Sequence, residues 1–120
     1  MEAKQPTSVT KKQFWMTCGF TTSKTKVHHY GEKDRIETHW HSPDGEKVWY
    51  AGIPALDFNN LFMYAVPVAV DCLKKNYDNC RVDFAWNLLV SWWLRDLINT
   101  DFQDSTLSLF WVLWEVIHGS

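Results

Sequence analysis

Three histidines and one glutamate are the residues whose types and spacing best suit chemistry. His39 and His41 form an H-x-H pair, and alternate residues of a β-strand face the same side, so both imidazoles should project together. Glu37 lies one pleat further along the same strand, and His28 is expected opposite across a hairpin. Imidazole and carboxylate groups bind zinc and other divalent cations. These residues indicate either a divalent metal site or a half-exposed polar sheet face, with no other cofactor.

The segment 24–51, which would position these side chains, is typical of an antiparallel meander. Residues 26–30 and 35–41 are expected to pair as its first two strands. A second turn follows at Ser42-Pro43-Asp44-Gly45 and fits a type I turn with a glycine bulge. The third strand begins after that turn.

The bulge would set the register between the last two strands. In that register Trp40 faces Val48 and Thr38 faces Tyr50, which gives one coherent apolar face. Trp49 then lies on the opposite face with the histidines, where it is a candidate contact residue.

A long helix is predicted over 57–76. Asp57 is a good N-cap, and Pro67 removes a backbone amide, so a kink is expected there. An apolar stripe recurs at helical period through Leu61, Ala65, Val68 and Cys72.

A short helix over 11–18 has signals at both ends. Thr10 is the predicted N-cap, and Gly19 is placed to follow the last turn. Phe20 would then contact Trp15, as in a Schellman ending.

The segment 81–97 fits two interpretations. Apolar and polar residues alternate over 81–86, which favours a strand, whereas 88–97 fits a strand or a helix nearly equally. We favour a strand there. Trp92 and Trp93 are adjacent, so in a strand they must face opposite sides and one needs a cover other than the core.

The last predicted element is a helix over 105–118, with Asp104 or Ser105 as its cap and Gly119 as its stop. This helix is apolar nearly all round, so it should be buried on more than one side. Trp111 and Trp114 lie in it, and a homodimer through 88–98 or 107–117 would cover the surplus apolar surface.

Composition excludes several classes. With 120 residues, a tail over 1–8 and a single domain over 9–120 are expected. The net charge of −2 provides no basic field for nucleic acid. Three cysteines without a C-x-x-C pair indicate a reducing cytoplasm. The longest apolar run is too short to span a membrane, and the N-terminal residues contain no apolar region typical of a secretory signal.

Several stretches resemble a known family. The run L-D-F-N-N-L-F-M-Y-A-V-P over 56–67 is the clearest, and F-W-M-T-C-G-F over 14–20 and D-S-T-L-S-L-F-W-V-L-W-E-V-I over 104–117 add to it. Together they resemble phage and prophage proteins of the phage ABA-sandwich group. The resemblance implies an antiparallel sheet between helices, in alpha/beta/alpha layers, and a mobile-element setting in the cytoplasm of a bacterial host. It implies no catalytic residue, and 80–99 departs from the group's pattern.

Three functions remain open. The first is a non-enzymatic accessory protein that binds a host or phage protein or a small ligand, for example as a counter-defence inhibitor. Tryptophans are favoured as contact residues for such a role, and this chain has eight. The second is a metal-dependent hydrolase using the histidine-rich face, and the third is a nucleic-acid-binding accessory protein. We expect the first, because no enzyme motif such as G-x-S-x-G or H-E-x-x-H occurs.

Overall fold

The fold is mixed α+β, as the sequence predicts, with helices and one three-stranded antiparallel sheet. The computed structural model of the chain describes residues 5–28, 30, 31, 33–50, 52–101 and 103–119. Two compact units are present: the sheet unit, Ser8–Ala55, and the helical unit, Leu56–Ser120 with Met1–Thr7. The single domain over 9–120 stays a prediction.

Helix α1 opens the sheet unit at Ser8–Thr17, so it begins before the predicted cap at Thr10. Its C-terminal end is the predicted Schellman motif. The Phe20 amide donates to the Trp15 carbonyl oxygen at 3.0 Å, and the two rings lie 4.9 Å apart. Gly19 has φ +101°, a left-handed conformation that only glycine adopts without strain.

The sheet has the order β1-β2-β3, with β1 at Thr21–Val27, β2 at Arg35–His41 and β3 at Val48–Trp49. The first strand lies earlier than the predicted 26–30. The Schellman motif leaves the chain extended at Phe20, so pairing with β2 begins directly after it.

The predicted register between β2 and β3 is wrong by one residue, because Trp40 pairs with Trp49 and not with Val48. The turn decides this. The Ser42 amide donates to the Lys47 carbonyl oxygen at 2.9 Å, and the Lys47 amide donates to Ser42 Oγ at 3.0 Å. These two residues therefore close the hairpin, and every later pair follows from them.

The shifted register changes which side chains share a face. Trp40 is buried and lies on the same face as Trp49, since directly paired residues of antiparallel strands project to one side. Tyr50 instead contacts His39, with ring centroids 5.0 Å apart. Ile36 is 71 % exposed. The predicted coherent apolar face is therefore wrong, and Trp49 does not lie with the histidines.

Asp44 organises the turn before β3. Its Oδ1 accepts from Ser42 Oγ at 2.5 Å and from the Glu46 amide at 3.0 Å. The Ser42 hydroxyl, then the Glu46 amide and the nearby Lys47 charge, hold the pKa of the Asp44 carboxyl below its ordinary value. The charged carboxylate is thus the form that fits this turn.

In the helical unit, the predicted helix over 57–76 is present as one continuous helix with three parts. The Asp57 side chain accepts from the Asn60 amide at 2.8 Å, so the predicted N-cap is confirmed. The parts are α2 (Phe58–Asn60), a π segment (Leu61–Ala65) and α3 (Val66–Asn76).

The π segment lies immediately before Pro67. In a regular α-helix the Pro67 ring would clash with the backbone of the preceding turn. The wider π turn relieves this crowding, and the Val66 amide donates to the Leu61 carbonyl oxygen, five residues back. The irregularity predicted at Pro67 therefore takes the form of a π turn. The residues buried at four-residue steps along this helix are Leu61, Ala65, Ala69 and Leu73.

The strands predicted within 81–97 are wrong, because this segment forms a single helix, α4, at Val82–Asn99. No glycine or proline interrupts it, and Ala85 and Leu89, four residues apart, are its buried positions. The alternation that favoured a strand covers only a few residues. Packing of one helical face against α3 and the last helix outweighs it.

Helix α5, at Ser105–His118, has the predicted bounds. The Asp104 side chain accepts from the Leu107 amide at 2.9 Å, and the Gly119 amide donates to the Glu115 carbonyl oxygen at 2.8 Å. As predicted for a helix apolar nearly all round, its buried residues lie on several sides: Leu107, Ser108, Leu109, Phe110, Val112, Leu113, Val116 and Ile117.

Candidate functional site

A groove of about 1130 Å³ lies between α3, α4 and α5, entirely within the helical unit. We call it the helical groove. Its size exceeds the usual range for small-molecule sites, about 300–1,000 Å³. Each of the three helices contributes one face to it, so the helical groove depends on their packing and not on any single motif.

Aromatic side chains form much of the wall of the helical groove. Trp92 comes from α4, Trp111 and Trp114 come from α5, and Tyr77 follows the end of α3. The tryptophans are half-buried, and the rings of Trp111 and Trp114 lie 6.3 Å apart at an interplanar angle of 75°. Such rings provide a large contact area that loses little side-chain entropy on binding.

Polar side chains also line the helical groove. Asp96 accepts a hydrogen bond from Ser108 Oγ, which links α4 to α5 at the groove. Arg95 and Glu115 also line it, and neither side chain has an ion pair among the residues that the structure describes. Both charges are therefore available to a ligand.

Helical spacing explains why these residues meet. On α4, Trp92, Asp96 and Asn99 recur at steps of four and three, and on α5, Ser108 and Glu115 are separated by about two turns. Two helices in contact with such faces present mixed aromatic and polar side chains to the same space. The groove is a consequence of helical periodicity on both elements.

The five tryptophans predicted as contact residues separate into three locations. Trp92, Trp111 and Trp114 meet in the helical groove. Trp93 points elsewhere: its Nε1 donates to the Ser105 carbonyl oxygen at 3.1 Å, and its ring lies 5.9 Å from that of Phe58. The fifth, Trp49, lies in the sheet unit, where it packs against the ring of Phe20 at 5.6 Å.

The residues of the predicted metal site are only partly brought together. Glu37 and His39 lie on one face of β2, with Oε2 and Nε2 3.6 Å apart. His41 Nε2 instead shares a hydrogen bond of 2.7 Å with Ser23 Oγ. His28 lies beyond the end of β1 and shares a bond of 2.5 Å with an aspartate of the following loop, Asp34.

Within the described ranges, no group of three or more His, Cys, Asp and Glu side chains is arranged to hold a metal ion. Each of the four predicted ligands instead has a partner within the sheet unit. The metal site and the hydrolase that depends on it stay predictions.

Sequence reasoning missed several residues of the helical groove, among them Arg95, Asp96 and Glu115. A signal was available on α5, because Ser108 and Glu115 are polar positions on one face of an otherwise apolar helix. The signal on α4 is ambiguous, because 88–97 fits a strand and a helix nearly equally. A strand interpretation places Arg95 and Asp96 on opposite sides and hides their common face.

Comparisons with family models, curated proteins and solved structures find no match to this chain. The resemblance to the phage ABA-sandwich group therefore stays a prediction. Over the described part of the chain, no helix combines the length and apolar character needed to cross a membrane.

Proposed function

We propose that this chain is a non-enzymatic accessory protein of a phage or other mobile element. In this proposal it binds a host protein in the cytoplasm of a bacterial host. The alternative is that it binds a small ligand. A counter-defence inhibitor is one form of this role. The phage-like sequence stretches support the setting, and the helical groove supports the activity.

The observation that carries the proposal is the aromatic wall of the helical groove. Tryptophan and arginine dominate the binding energy of protein interfaces, and they act best in pockets from which water is excluded. Trp92, Trp111 and Arg95 line the helical groove, from which a bound protein segment would displace water. The volume of about 1130 Å³ suits a segment of a protein better than a small metabolite.

We also propose that the protein forms a homo-oligomer through α4. Large apolar side chains of this helix are exposed, including Val82, Leu94 and Ile98, at 58, 50 and 56 %. Contiguous apolar surface beyond a few hundred Å² is uncommon on monomers, and a twofold dimer covers it with the same surface of a second copy. Residues 107–117 contribute less, because most of them are buried in one chain.

A capture experiment tests the binding role. Immobilised protein is exposed to a bacterial lysate, and captured proteins are identified by mass spectrometry for the wild type and for Trp111→Ala. We expect at least one host protein whose recovery falls about tenfold or more in the variant, as for loss of a central aromatic anchor. Capture is then repeated with that purified host protein alone.

Phe62→Ala is the matched control, because Phe62 is a half-exposed aromatic residue of the same helical unit that lies outside both the helical groove and α4. Thermal melts of both variants separate lost binding from lost folding. Equal recovery by the wild type and Trp111→Ala would exclude the helical groove as the partner site. Native mass spectrometry of protein purified from the host would then test for a small ligand.

A further inference from the structure

Strand β1, Thr21–Val27, forms one edge of the sheet. It pairs with β2 on one side, and no strand pairs with its other side in the part of the chain that the structure describes. An edge strand of this kind presents backbone N–H and C=O groups that can bond to a further strand. Its seven residues make it the longer of the two edges, since β3 has two.

Both faces of β1 are open to solvent. Every side chain from Thr21 to Lys26 is exposed, and Val27 is half-buried. The strand contains β-branched threonines and no proline or glycine, a composition that keeps an edge straight and able to pair. No described residue therefore blocks the approach of an extended segment over most of β1.

The positive charges on β1 determine which kind of extended segment could pair with it. Lys24 and Lys26 are two residues apart and lie on the same face. Lys26 Nζ lies 3.1 Å from Asp34 Oδ2, in an exposed ion pair of the kind that binds weakly and can be exchanged. The Lys24 side chain has no ion pair or hydrogen bond with any residue that the structure describes.

A second copy of the chain is a poor occupant of this edge. The antiparallel register that pairs the whole of β1 with itself places the two Lys24 side chains directly opposite each other. A parallel in-register pairing stacks both Lys24 and Lys26 on their own copies. Like charges directly opposite in a sheet are destabilising, and edge lysines are a common protection against such self-pairing.

We propose that β1 is a docking edge for an extended acidic segment of a partner protein. That segment adds a strand beside β1, and its carboxylates, two residues apart, bind Lys24 and Lys26. Backbone hydrogen bonds provide affinity and the lysines select the sequence, as in other cases of strand addition. This surface belongs to the sheet unit and is separate from the helical groove.

The test uses a capped peptide of the same length as β1, with alternating Glu and Val residues, and follows it by NMR of the full chain. We expect saturable amide shifts at residues 21–27 and slower amide exchange there, at peptide concentrations up to about 1 mM. Two control peptides accompany it. One has Lys in place of Glu, and the other has N-methylated backbone amides, which keep the charge and remove the donors.

Two variants of the protein complete the test. Lys24→Glu should weaken binding about tenfold or more, because it places a like charge beside the peptide carboxylates. Lys75→Glu makes the same change in net charge at an exposed position of α3 and should change affinity by less than about twofold. Far-ultraviolet circular dichroism confirms that both variants are folded.

Several results would overturn the proposal. Absence of shifts at residues 21–27 at about 1 mM peptide would do so, and so would equal binding of the N-methylated peptide, which would reduce the effect to charge alone. Tighter binding of a single-stranded oligonucleotide at these residues would indicate nucleic acid as the occupant. Protection of the same amides that grows with protein concentration alone would indicate a second copy.

Discussion

Helices α4 and α5 are both rich in apolar and aromatic residues, yet they differ in how many of their residues are buried. Helix α5 has eight buried residues among 14, whereas α4 has two among 18, Ala85 and Leu89. Apart from Phe84, the large apolar residues of α4 that remain exposed recur every four positions, and with 3.6 residues per turn this row winds gradually around the helix. The residues of this row are Val82, Trp86, Val90, Leu94 and Ile98.

The difference teaches that apolar content does not decide burial. Helix α5 lies where α3 and α4 both pack against it, so almost any apolar side chain on it finds neighbours. Helix α4 meets those neighbours along a narrow face, where Ala85 and Leu89 are buried. The rest of its apolar surface remains available to other molecules.

The largest expected effect is a difference in stability between truncating a buried residue of α5 and truncating an exposed residue of α4. Phe110→Ala in α5 should lower the free energy of unfolding by about 3–5 kcal/mol, because the ring is fully buried and leaves a cavity. Leu94→Ala in α4 should cost less than about 1 kcal/mol, since that side chain is half exposed. Urea denaturation measures both, and losses of similar size would show that the contrast is not energetic.

A second prediction concerns what covers the exposed face of α4. If a homodimer forms there, Leu94→Glu should raise its dissociation constant at least about tenfold, because a charge would be buried in the apolar contact. Light scattering over a range of protein concentrations measures this. Lys75→Glu, at an exposed position of α3 outside the helical groove, is a control for the effect of added negative charge. A single-chain mass at every concentration would remove the homodimer.

The smallest effect concerns the helix starts. Asp104→Ala should cost about 1 kcal/mol, because its carboxylate caps α5. Arg81 precedes α4 without a side-chain cap bond, and its ion pair with Asp83 is exposed, so Arg81→Ala should change stability by less than about 0.5 kcal/mol. Urea melts of the two variants decide this, and a larger loss at Arg81 would contradict the assignment of the caps.

Features set by neighbouring residues were predictable from the sequence. The caps at Asp57 and Asp104 were found because a short acceptor side chain must meet the free amides of the next turn. The Schellman motif at Gly19 was found for the same kind of reason, since its bonds span only a few residues. The bounds of α5 followed from such signals at both ends.

Features set by distant residues were not predictable. Residues 81–86 alternate as a strand does, and only packing against α3 and α5 makes them helical. The hairpin register depends on two hydrogen bonds between Ser42 and Lys47. The residue types of the turn fit both this register and the bulged one, so they do not decide between the two. The helical groove forms only where three helices pack together. Three of its tryptophans are predicted as contact residues from the sequence, but the sequence does not predict that they line one groove.

The π segment before Pro67 has a consequence for the tolerance of this helix to inserted or deleted residues. A π turn contains one more residue than the α turn it replaces, so Leu61–Ala65 behaves as a one-residue insertion. Deleting one residue there would restore a regular α turn and keep Phe58 beside Trp93, but it would bring the Pro67 ring back against the backbone of the preceding turn. Pro67 therefore requires the extra residue of this turn, and a one-residue deletion in the segment would need a change at Pro67 to be tolerated.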